Sequence, residues 1–234
     1  MSRMVYLVIF LAKNYWRRSN FLLQFLILAM VCGYFIDPGY APYSYDYIVL
    51  IKNFALIIIA FITTFQMNKI NYDRSIYVLL TRVKRKFYYL SAVLSSFIIV
   101  LGFSILLDIY ILLFTGLSFY NFFTLSLIIY SILNIFLVIV VSKLFSVYTM
   151  GNAYQIVGLI ITGFALIPGW YENLPFEKVL SYLNHVLPPL GSNILVQQSK
   201  SFFNWNLPLS ILYLIIALSI GIRLFENRNL TDLK

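Results

Sequence analysis

The chain has 234 residues, 62% of them hydrophobic and 11% charged, with a net charge of +9 and a mean hydropathy of +0.88. Soluble domains average about 25% charged and roughly 45–50% apolar residues, so the composition excludes a soluble domain and defines an integral membrane protein. The positive charges flank apolar runs, which assigns them to topology and anionic lipid and not to nucleic acid.

Residues 4–18 open the chain. Lys13, Asn14, Arg17 and Arg18 make one polar face, while Leu11, Tyr15 and Trp16 suit an interface. This predicts an in-plane helix leading into the membrane. The apolar run from Met4 to Leu11 is too short to span and ends in Lys13 with no small-residue cleavage site, so no signal peptide is expected.

Six apolar runs follow, at 20–36, 47–67, 89–114, 122–141, 153–167 and 207–224. With the N-terminus inside, the segments before, between and after them alternate in basic content. Arg3, Lys13, Arg17 and Arg18, then Lys69, Arg74, Arg82, Lys84, Arg85 and Lys86, then Lys143, then Arg223, Arg228 and Lys234 fall inside. Only Lys178 and Lys200 fall outside, and Lys52 lies within a span. This bias predicts a multi-pass protein of the cell (inner) membrane with both termini cytoplasmic. All seven prolines fall outside or at an outer helix end, leaving the inner connections free to be helical. The fold expected is all-α: one transmembrane domain over 1–234, six transmembrane helices and an N-terminal in-plane helix.

Between the second and third runs, residues 68–88 hold the densest basic cluster, against one acid, Asp73. Tyr72, Ile76, Leu79 and Leu80 recur on one helical face, with Thr81 opposite. Two readings fit: a short helix along the inner membrane surface, or a solvated loop that only sets topology.

The outer loop 168–206 is not plainly polar. Val179, Leu180, Leu183, Val186 and Leu187 form a helical stripe stopped by Pro188 and Pro189, and Ile194, Leu195 and Val196 follow. Either two short helices dip back into the membrane, giving a partly re-entrant loop, or the loop lies on the surface with interfacial aromatics.

Catalytic signals are sparse. The sequence holds no phosphate-cradling G-x-x-x-x-G-K-[ST], no G-x-S-x-G and no H-E-x-x-H. The one cysteine, Cys32, and the one histidine, His185, make neither a disulfide nor a metal site by themselves. No enzyme activity, catalytic residue, metal or cofactor of its own is expected. Two charges do lie inside spans: Lys52 near the outer end of the second, and Asp108 late in the third. Counted at about 1.5 Å per residue both lie at similar depth, so they either pair or separate, with Lys52 snorkelling outward and Asp108 bordering the outer surface.

The layout resembles the permease subunit of ABC-2 type exporters. The residues that carry this are Y-W-R-R-S-N-F before the first span and Asp73–Ser96, where an acid, Leu79, Leu80, Thr81 and the basic cluster 82–86 stand in order; Arg74 and Ser75 replace the glycine–threonine pair common after the acid. The resemblance implies a separate ABC ATPase subunit carrying ATP and Mg, and a second permease copy or a related permease. It implies that Tyr72, Asp73, Ile76, Leu79, Leu80 and Thr81 couple to that ATPase, and that the cargo is an amphipathic lipid, glycan, peptide or drug. Two alternatives stand beside it: a non-transporting immunity or scaffold protein that binds a peptide or partner through the outer loop, and a secondary carrier, which would bury coupling charges and show inverted repeats.

Overall fold

The computed structural model describes residues 3–18, 21–36, 43–71, 83–115, 117, 124–146, 149–150, 154–166, 186–199 and 204–227. Every regular element among them is helical: α1 (Arg3–Arg18), α2 (Leu22–Met30) running into one π-helical turn (Val31–Phe35), α3 (Tyr45–Asn71), α4 (Arg85–Phe114), α5 (Leu125–Leu144), α6 (Tyr154–Leu166), α7 (Leu190–Gln198) and α8 (Asn206–Asn227). A helix satisfies its backbone polar groups internally, which hydrocarbon surroundings demand.

Four of these helices, α3, α4, α5 and α8, are long and apolar enough to cross a membrane. The pair α1 and α2, bent by 80°, makes a fifth crossing if it counts as one broken span. α6 has 13 residues and rises only about 20 Å, short of the roughly 30 Å of a hydrocarbon core. Where the sequence predicts six spans, the described helices therefore include four to five of spanning length.

α3 and α5 are the central pair, and α4 and α8 lie at the periphery. α3 packs on α4 and α5, α5 also packs on α8, and α1 packs chiefly on α4. Ala55 and Ala60 of α3, Val100, Leu107 and Ile111 of α4, and Leu137, Val138 and Val140 of α5 belong to one continuous buried core. α8 passes tightly over α4: a Cβ at Gly221 would run into the hydroxyl end of the Tyr89 ring, which would have to move to admit a larger residue. Tyr88 and Tyr89 flank the Phe225 ring, each at 6.0 Å, and Arg85 Nη1 donates to the Glu226 carbonyl at 2.7 Å. A cation at the carbonyl end of α8 is favourably placed for its helix dipole.

α1 differs from the expected interfacial helix in what it buries. Leu7, Val8, Leu11 and Tyr15 are buried, while Trp16 is 64% exposed. The polar reason lies at Tyr15, whose hydroxyl donates to Gln66 Oε1 at 2.9 Å and accepts from Gln24 Nε2 at 2.7 Å. Gln24 also donates to Gln66 Oε1 at 2.9 Å, closing a triangle between α1, α2 and α3. Buried amides of this kind need partners, and the tyrosine supplies one only by turning into the protein.

The bundle has two distinct ends. Lys69, Arg85 and Lys143 lie at one, hereafter the basic end, where Lys143 Nζ donates to Asn68 Oδ1 and Ser96 Oγ lies 3.0 Å from Met67 Sδ. At the far end Thr124 caps α5 by accepting from Leu127 N at 3.2 Å. The Tyr45 hydroxyl reaches Thr124 Oγ1 at 3.0 Å and donates to the Gln197 carbonyl at 3.3 Å. The π-helical turn of α2 is held at this end: Ile36 N bonds back to Val31 O at 3.0 Å, and Tyr110 Oη donates to Cys32 O at 2.7 Å. A carbonyl loosened by the π turn thereby finds a partner on α4.

Candidate functional site

Consecutive residues on a helix point about 100° apart, so α3 can present a polar group to each of two neighbours at one depth. It does so with Lys52 and Asn53. Lys52 Nζ lies 2.6 Å from Asp108 Oδ1 on α4. Lys52 is only 2% exposed, which rules out snorkelling, and the carboxylate that neutralises it is itself mostly covered. Paired in this way, two charges enter an apolar bundle at a cost that neither meets alone.

Asn53 faces the other way, toward α5 and α7. Its Nδ2 donates to Gln197 Oε1 at 2.5 Å and to the Val49 carbonyl at 2.8 Å. Its Oδ1 accepts from Asn134 Nδ2 of α5 at 3.3 Å. Asn134 Oδ1 accepts in turn from Asn193 Nδ2 of α7 at 2.9 Å. Asn193 and Ser210 of α8 exchange two hydrogen bonds, at 3.0 Å and 3.2 Å. All five residues of this chain are buried. Gln197 Nε2 alone has no partner among the described residues.

The network fixes where α7 runs. Pro189 precedes it, a residue suited to a helix start because it has no N–H to leave unpaired. Asn193 then meets Asn134, nine residues into α5 and so about 13 Å below that helix end. Five residues later Gln198 Nε2 donates to the Asp46 carbonyl in the first turn of α3, at 3.0 Å. α7 therefore climbs from the interior of the bundle to its far end.

Lys52 and Asp108 are brought together. Tyr72, Asp73, Ile76, Leu79, Leu80 and Thr81 lie outside the described residues, as do His185 and loop residues 168–185 and 200–203. The amide chain was not singled out from the sequence. Its signal was present all the same: Asn134 interrupts the run Leu133–Val141, and a lone amide in hydrocarbon costs several kcal/mol unless paired, so each such residue implies a partner. The layer offers amide donors and acceptors and one neutralised ion pair, a set that binds polar groups or fixes helices.

Together the apolar helices and the buried polar layer define a helical, membrane-embedded protein. No family model matches the chain, and neither a curated protein nor a solved structure is found to match it.

Proposed function

We propose that the chain is the permease subunit of an ATP-driven ABC-2 type exporter of the cell (inner) membrane, moving an amphipathic substrate such as a lipid, glycan, peptide or drug outward. A separate ABC ATPase would supply ATP and Mg chemistry, and a second permease copy or related permease would complete the transporter. In this reading the basic end is cytoplasmic, residues 72–81 form the coupling helix, and α7 is the rising limb of a re-entrant outer loop.

The observation that carries it is how the coupling segment is tied to the bundle. The residues just before it reach α5 and α4 through Asn68–Lys143 and Met67–Ser96. Those just after it reach α8 through Arg85–Glu226. A push on residues 72–81 would thus act on four helices at once. The six-span count has separate support. α5 ends at the basic end by its Lys143 contact, whereas Ser210, in the second turn of α8, bonds Asn193 in the far half. A crossing between them would complete the six, and α6 is the apolar helix described in that interval.

Replacing Ile76 and Leu79 with Asp tests the reading. A charge buried unpaired in a docking groove costs about 3–5 kcal/mol, so ATPase copurification and transport are expected to be lost at normal expression. Full binding and transport in that variant would refute the coupling role. If no ATPase copurifies with the wild type, the non-transporting scaffold reading takes its place.

A further inference from the structure

Where α1 crosses α4 the two helices leave an open groove of about 430 Å³, within the size range of roughly 300–1,000 Å³ typical of ligand sites. Val8, Ala12, Ile99 and Gly102 line it, with Lys13 and Trp16 at its rim. Both ends are built. At one, Ser95 Oγ donates to the Val8 carbonyl at 3.1 Å and pins α1 to α4. At the other, Trp16 packs on Phe21 at 4.4 Å, and Phe21 meets Phe103 at 6.3 Å. Gly102 is exposed on the groove side of α4, and a Cβ there would meet nothing within 4 Å. Glycine inside a long helix is unfavourable, and no neighbour here requires it.

We propose that this groove binds one acyl chain of an anionic phospholipid from the surrounding bilayer, with the phosphate on Lys13 and on Arg17 one turn further. The chemistry is complementary at each end. The walls are apolar, and the lining also includes a cation, Lys13, and a tryptophan, a side chain that suits lipid interfaces. A neutral lipid satisfies the walls but not Lys13; an acidic peptide satisfies Lys13 but not the walls. The site stands whether or not the protein transports anything.

The test uses the full chain with Trp170 and Trp205 changed to Phe, leaving Trp16 as the one tryptophan, excited selectively over tyrosine. It is reconstituted in phosphatidylcholine vesicles containing a minor fraction of acyl-brominated phosphatidylglycerol or, in parallel, acyl-brominated phosphatidylcholine. Trp16 is expected to be quenched preferentially by the anionic lipid, by about fivefold for each basic side chain engaged. Lys13→Gln should lower that preference about fivefold. Gly102→Leu, which fills the groove with a better helix former, should abolish it, and Gly102→Ala, too small to fill the groove, should retain it. Equal quenching by the two lipids in the parent overturns the proposal. A preference that survives Gly102→Leu also overturns it, because the charges would then act without the groove. Absence of quenching by either lipid overturns it too, since a second copy or another protein would then cover the groove.

Discussion

Lys52 and Asp108 show what a single residue contributes in this chain. Each is a charge in an apolar run, and charge in hydrocarbon is conspicuous at the level of one letter. Their partnership was therefore open to inference from depth alone, although depth did not decide between pairing and separation. Burial decides it: Lys52 has no path to the surface. Asn53, one residue on, carries no charge, and nothing in its letter tells that it turns toward α5 and α7. The pair leads to a prediction. Asp108→Asn strands a buried ammonium and should cost about 3–5 kcal/mol, and Lys52→Met should cost a similar amount by stranding the carboxylate. The double change Lys52→Met with Asp108→Leu removes both charges and should be close to neutral. Unfolding in mixed detergent micelles measures all three. Single costs that simply add in the double variant would show that the two side chains do not interact.

Among the elements, the long helices were legible because uninterrupted apolar runs leave no alternative to a helix in lipid. The runs at 47–67 and 89–114 lie within α3 and α4. The short elements were less legible. The π turn at Val31–Phe35 bonds to Tyr110, far along the sequence, and α7 takes its course from side chains on three other helices, the amides of Asn53 and Asn134 and the hydroxyl of Ser210. Neither dependence leaves a local pattern. Asn134 is the joint of that arrangement, since it bonds both Asn53 and Asn193. Asn134→Leu should free α7 from the α5 amide, leaving it tied to α3 through Gln197 and Gln198, while keeping an apolar residue in the core. Hydrogen bonds between membrane helices average about 0.6 kcal/mol each, but here the loss also leaves Asn53 Oδ1 and Asn193 Nδ2 short of a partner. A cysteine at Leu195, in a background where Cys32 is Ser, reports the change. Its labelling by a membrane-impermeant maleimide should quicken several-fold in Asn134→Leu. An unchanged rate would mean that α7 is held by its packing, not by the amides.

For the whole molecule, the contrast between its two ends is the property that the sequence and the structure express alike. Lys69, Arg85 and Lys143 stand far apart in the sequence but at one end of the bundle. Arg85 reaches the last turn of α8, so the end of α8 belongs there too. Basic residues near helix ends are retained on the cytoplasmic side, and the bias counts most in short connections. In the six-span arrangement expected from the sequence, fourteen of the seventeen Lys and Arg residues would fall on that side and two on the other. An inverted molecule would carry the whole cluster at 82–86 across the membrane, against both the membrane potential and the anionic inner leaflet. Reporter fusions decide the matter. A fluorescent protein that matures only in the cytoplasm should be bright when fused after Lys234. A phosphatase that folds only outside should be active when inserted within 169–173, and inactive after Lys234. Phosphatase activity after Lys234 would reverse the orientation, and with it the side from which any ATPase can reach residues 72–81. A phosphatase that is inactive within 169–173 while Lys234 remains cytoplasmic would be a different result: α6 would not cross, and the chain would have to complete its passage between α5 and α8 elsewhere.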